Sequence, residues 1–339
     1  MKSAKEYSEF CEKTLFPKLE GLEARRKAIG NKRISFLLIV LILIVSHIII
    51  ILLDLLPLWS IMVSMLLVPS VFSFIYRQFG TDHRLTEDLE NEVIKHSIPF
   101  LIGSPLYNEE QGIDYEVFAR SRLFLQLPED YKGRHLTKGR LDGSLVLFST
   151  IECGYFRDMG KKELEWQNIF KGLMVVNAFE RNLGLNAEII PNSLEKNLYL
   201  IGKELKKYNF QRSQKVSFDQ DKEFSQAYAI YADKPLEATY LITEPLRKVI
   251  LNFKASTGID VFISFVEIKV EKENKLENRA ESKIYFAFSA DSLVSTDISK
   301  TFLQPDSISG FYLCLAFVNM VLNELKLKFI KKPGVDWSI

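Results

Sequence analysis

The sequence is poor in the residues that build most catalytic and metal centres. Only four histidines occur in 339 residues, and outside one apolar segment they are His83, His96 and His135, with no pair at ligand spacing. A zinc site or a His-based triad has little to work with. The three cysteines, Cys11, Cys153 and Cys314, are odd in number and far apart, which fits reduced thiols rather than a disulfide framework. No phosphate-cradling loop is present: Gly202-Lys203 lacks both the earlier glycine and the following Ser or Thr. A net charge of +1 gives no general pull toward nucleic acid.

Charge is also missing from one long stretch. Between Ile34 and Tyr76 the acidic and basic side chains are His47 and Asp54 alone. A hydrocarbon core of ~30 Å needs ~20 apolar residues per helix, and Ile34–Leu53 and Leu55–Tyr76 each supply that. Asp54 and Pro57 mark a turn between them. The spacing therefore predicts a two-helix transmembrane hairpin, since lipid demands that backbone groups bond within the segment. Lys2, Lys5, Lys13, Lys18, Arg25, Arg26, Lys27, Lys32 and Arg33 precede it, Arg77 and Arg84 follow it, and the turn has no Lys or Arg. The bias toward positive residues inside places both termini in the cytoplasm, with two passes. The run is too long and starts too late for a cleaved signal peptide.

Around this anchor the pattern predicts an α+β chain. Residues 1–33 read as a basic amphipathic helix with Tyr7, Phe10, Cys11, Leu15, Leu19 and Leu22 on one face and an irregularity at Pro17. Residues 34–76 form the hairpin and 77–98 a juxtamembrane helix ending before Pro99. Residues 99–339 form a soluble cytoplasmic domain of mostly antiparallel sheet with packing helices, with a possible split near 190–215. Gly103–Gly112 reads as a loop, while Leu145–Tyr155, Ile169–Phe179, Ile259–Val270 and Lys283–Ser289 read as strands. Lys203–Lys215 reads as loop or short helix. Thr243 caps a helix that Gly258 closes. From Ser309 to about Leu327 a last helix carries an apolar stripe of Phe311, Leu315, Val318, Leu322 and Leu325, and its Asn319, Asn323 and Glu324 make it a core helix rather than a third span.

Three stretches carry a resemblance. They are Pro128-Glu129-Asp130-Tyr131-Lys132-Gly133 with Gly139 and Asp142-Gly143; Ile169-Phe170-Lys171-Gly172-Leu173 through Asn177-Ala178-Phe179; and Ile230-Tyr231-Ala232-Asp233 through Leu236-Glu237-Ala238-Thr239-Tyr240-Leu241-Ile242-Thr243. With these the chain resembles a bacterial two-span membrane-protein family of unknown function (DUF 3137-like). The resemblance implies a fold plan and a membrane address but no reaction; the expected address is the bacterial inner membrane, with a host organelle membrane as the alternative. The sequence departs from the family pattern at Glu180-Arg181-Asn182-Leu183-Gly184.

Candidate chemistry is sparse. Asp219 and Asp221, one residue apart after an apolar Val216-Ser217-Phe218, could share a divalent cation in a metal-dependent transferase, although a solvated turn is the plainer reading. Cys153 reads as a core residue rather than a nucleophile. His47 at membrane depth reads first as a packing or hydrogen-bonding group, and Ser60, Ser64 and Ser73 offer a small-residue face for helix contact. Two basic clusters, Lys203, Lys206, Lys207, Arg212 and Lys215, and Lys326, Lys328, Lys331 and Lys332, could meet anionic lipid if they are more than solvated faces. No catalytic residue, cofactor or nucleic-acid partner is indicated. The expected partners are the bilayer and either another protein or a second copy through the hairpin. The function that fits is a non-enzymatic membrane-anchored binding or assembly module. The alternatives are the transferase and a secreted bacterial effector that inserts into a host organelle membrane.

Overall fold

The structure, a computed structural model, describes residues 1–52, 83–158, 164–179, 181–193, 212–218, 220–270, 279–297 and 299–330. The chain divides into two compact units. One comprises Lys5–Val93 with Val294–Ile308, and the other Met1–Ala4, Ile94–Leu293 and Ser309–Ile339.

The first unit is built on a long helical rod. Helix Ala4–Phe10 passes into a π-helical turn, Cys11–Leu15, and then into helix Phe16–Leu52. The irregularity expected at Pro17 thus falls just upstream of it. Pro17 lacks an N–H and its ring crowds the carbonyl four residues back, and widening the preceding turn relieves both. Tyr7, Cys11, Leu15 and Leu19 are buried, as the periodicity predicts. Glu23 is buried too. It pairs with Arg26 through both carboxylate oxygens (2.8 and 2.9 Å) and accepts from the Phe302 amide and Thr301 Oγ1, both at 3.0 Å. Burial alone would raise its pKa, but these donors outweigh it and hold the group at about 2. From Ile34 onward the same helix changes character: Ile34, Leu37, Leu38, Ile39, Leu41, Ile42, Val45, Ile48 and Ile49 are exposed. The second span at 55–76 and its turn lie outside the described residues, so one apolar helix is seen and a two-helix hairpin is not shown. Helix His83–Leu101 runs through Pro99 rather than stopping before it, with the proline confined to its last turn.

The second unit is a mixed α+β body around a nine-stranded antiparallel sheet. Its strands are β1 (Gly103–Asn108), β2 (Asp130–Leu141), β3 (Ser144–Asp158), β4 (Leu164–Phe179), β5 (Ala187–Pro191), β6 (Gln214–Val216), β7 (Tyr228–Ala232), β8 (Asp260–Val270) and β9 (Arg279–Ser289). Their order across the sheet is β1-β2-β3-β4-β9-β8-β5-β7-β6. Asp142 and Gly143, at φ 50° and 83°, make the two-residue turn between β2 and β3. β1 and β6, expected as loop and as loop or helix, are instead the two edge strands. An edge strand buries little, so Gly103–Asn108 shows no apolar alternation and tolerates Pro105.

Two layers cover the sheet. On one face helix Glu244–Thr257 and helix Gly310–Ile330 bring Phe253 and Phe317 onto Phe286 and Phe288, with ring centroids 4.5–6.3 Å apart. Thr243 Oγ1 accepts from the Leu246 amide, and Gly258 closes the first of these helices at φ 71°. Phe311, Leu315, Val318, Leu322 and Leu325 are all buried, so the last helix is half covered and belongs to the core. On the other face the segment Ile113–Phe124 packs Phe118 and Phe124 onto Phe170 and Phe262. Gly112 and Gly133 let this segment cross β2 backbone to backbone, because a Cβ on either would strike the other residue.

Candidate functional site

One row of residues runs straight across the sheet: Lys138, Leu147, Val176, Tyr285, Ser264, Glu188, Tyr231 and Lys215. Direct partners in antiparallel strands share a face, so this row lies beneath the Ile113–Phe124 segment. Its middle is apolar, and its β5 end is charged. Glu188 is fully buried, and Arg122 Nε donates to its Oε1 at 2.7 Å. Arg122 also reaches Ser213 Oγ (3.4 Å), and its backbone is left-handed at φ 59°. A non-glycine residue held there is strained, a cost found most often at functional positions. Glu188 Oε2 and the Oγ of its cross-strand neighbour Ser264 have no hydrogen-bond partner among the described residues. Burial pushes the Glu188 carboxyl above its ordinary range, opposed by Arg122 and then Arg212.

Arg212 and Lys215 belong to the same cluster. The Arg212 guanidinium lies 5.3 Å from the Tyr231 ring and the Lys215 ammonium 5.8 Å, and Arg212 donates to the Leu123 carbonyl at 3.0 Å. Of the basic run offered as a candidate lipid contact, Arg212 is thus half-buried against the sheet and Lys215 is exposed. Lys203, Lys206 and Lys207 lie outside the described residues. In the other basic run, Lys326 donates to Ser144 Oγ at 2.6 Å.

The acidic pair is also divided. Asp219 lies outside the described residues. Asp221 caps helix Lys222–Ala227 through the Phe224 amide (3.1 Å), and its other oxygen accepts from Arg247 Nε at 2.6 Å. Hydrogen bonding from Arg247 keeps this carboxyl below the ordinary range. Among the described residues no group of three potential metal ligands comes together. Cys153 is buried in the core, where burial pushes its thiol up to about 12 and removes thiolate character at neutral pH. His135, which carries no motif in the sequence, sits in a bulge of β2 at φ 61°, with Nδ1 2.8 Å from the Tyr107 hydroxyl.

Sequence reasoning passed over Glu188, Arg122 and Ser264. The signal available was small: one carboxylate inside the short apolar run Ala187-Glu188-Ile189-Ile190-Pro191. A lone acid in such a run has to be paired or neutralised.

The matching family is one whose activity is undefined. Residues 168–327 match DUF3137, a protein family of unknown function. The DUF3137 match begins within β4 and ends within the last helix, so it takes in β5 to β9 and Glu188 but not Arg122. No curated protein matches the sequence significantly. Among solved structures, the crystal structure of the mycobacterial trehalose monomycolate transport factor A, TtfA, is similar with a TM-score of 0.31 and 7% identity, over 68% of this chain and 93% of that one. A likeness that distant carries no argument for this chain.

Proposed function

We propose that the protein is an integral membrane protein whose sheet unit is a non-enzymatic binding or assembly module. One observation carries the membrane half of this reading. Along helix Phe16–Leu52, nine large aliphatic side chains from Ile34 to Ile49 stay roughly half exposed or more. Fully burying one such side chain is worth ~1.5–3 kcal/mol. Leaving all nine half wet would cost on the order of 10 kcal/mol, comparable with the whole net stability of a domain. A bilayer removes that cost.

The binding half rests on what the side chains do. Asp221 is tied to Arg247, Cys153 is a core thiol, and Glu188 is fully buried and paired with Arg122. These arrangements favour a rigid recognition body over a reaction centre, and the metal-dependent transferase gains no support from Asp221. The two-pass topology, cytoplasmic termini and inner-membrane address belong to the same proposal.

Alkaline carbonate extraction combined with in-cell crosslinking tests it. The chain is expected in the membrane pellet and in a crosslinked complex with a membrane or envelope protein. Release of the intact chain into the supernatant refutes anchoring, and recovery of an uncrosslinked monomer refutes the assembly role.

A further inference from the structure

The long β3–β4 hairpin outruns the sheet that supports it. β2 follows β3 only as far as Gly154, and β9 follows β4 only from Gly172. Beyond those points, among the described residues, the two strands pair with each other alone, through Tyr155–Gln167, Phe156–Trp166, Arg157–Glu165 and Asp158–Leu164. An isolated two-stranded ribbon is marginal in water, and a protected ribbon would be expected to turn polar residues outward. This one does the opposite on one face: Phe156 is 51% exposed, Leu164 66% and Trp166 36%. The Phe156 and Trp166 rings meet edge to face at 5.1 Å. Gly154 supports the indole, because a Cβ there would collide with the Trp166 ring and the Gln167 carbonyl. By register the opposite face carries the buried Tyr155 with Glu165 and Gln167, so the exposed rings stand on one face of the ribbon.

We infer that this hairpin is a membrane-surface element, dipping Phe156, Leu164 and Trp166 into the interfacial zone of a bilayer. The inference rests on the proposed membrane anchoring, which keeps a bilayer within reach of the chain. Trp with a neighbouring aromatic is the preferred side-chain chemistry at the level of lipid headgroups. A protein partner would have to match an exposed aromatic pair at a ribbon's end, whereas a bilayer needs no shape complementarity.

The chain has three tryptophans, Trp59, Trp166 and Trp337. The full-length Trp59→Phe/Trp337→Phe variant, reconstituted in phosphatidylglycerol–phosphatidylethanolamine vesicles, therefore reports Trp166 alone. The expected result is a blue shift, and loss of emission when the lipids carry bromine near the headgroup end of the acyl chains. Unquenched Trp166 in a chain retained after alkaline carbonate overturns the inference and leaves anchoring intact, a protein partner included. Quenched Trp166 in a chain that carbonate releases sustains the surface contact and sinks the anchor. Release together with no quenching removes both. As a second readout, a nitroxide on Leu164→Cys should be more accessible to oxygen than to a water-soluble nickel chelate. The label is selective because Cys11, Cys153 and Cys314 are buried. Preferential nickel access overturns the inference.

Discussion

At the scale of single residues, the buried ionisable groups decide how the sheet unit responds to its surroundings. Burial, with the Arg134 charge next, drives the His135 pKa down to about 4 from an ordinary 6.5. The unfolded chain therefore takes up the extra proton first as pH falls. Stability from this site is complete above about pH 6.5 and declines toward about pH 4, by up to about 3 kcal/mol. Melting curves in detergent at stepped pH should show wild type losing more than His135→Gln across that window; parallel curves would remove His135 from the account. Glu188 and Arg122 make a different test. Arg122→Met strands a carboxylate in the core and should cost about 3–5 kcal/mol. Arg122→Met/Glu188→Met replaces the pair by apolar volume and should recover most of that loss in urea titration. Equal loss in the single and double variants would mean that the pair is not the source of the penalty.

At the scale of elements, the legible parts of the sequence were those where local chemistry decides the outcome. Thr243, Glu244 and Pro245 open a helix and Gly258 ends it, and both signals act within one turn of the chain. Thr243→Ala should cost about 1 kcal/mol. Gly258→Ala should cost a similar amount, because alanine resists φ 71°. Circular dichroism melts would check both, and unchanged midpoints would mean that tertiary packing alone sets this helix. The buried stripe of helix Gly310–Ile330 and the strands β3, β4, β8 and β9 were readable for the same reason, as each has an apolar face of its own. β1 and β6 were not, since edge strands bury too little to print a pattern. β5 was hidden by Glu188, whose charge is explained only by Arg122, far away in sequence.

At the scale of the whole molecule, the candidate site was the least legible part, because it assembles residues from four separated stretches around 122, 188, 212 and 264. Periodicity sees only neighbours along the chain. The proposed anchor was the most legible, since forty-odd residues carry almost no charge, and its described part lies within one unbroken helix, Phe16–Leu52. Topology adds a constraint that neither local pattern nor site chemistry conveys. β9 lies between β4 and β8, so Val176 has no partner on that side until Tyr285 arrives. During synthesis the apolar residues 34–52 leave the ribosome long before β9 does, so under the proposed anchoring the growing chain is moored while the middle of its sheet is still open. A nascent chain stalled before Arg279 should therefore be protease-sensitive throughout β2–β4 and become resistant only once Ser289 has emerged; early resistance would show that the first strands close without their central neighbour. Under that proposal, mooring spaces such half-built sheets apart in the plane of the bilayer and limits strand exchange between neighbouring copies at the stage when it is easiest.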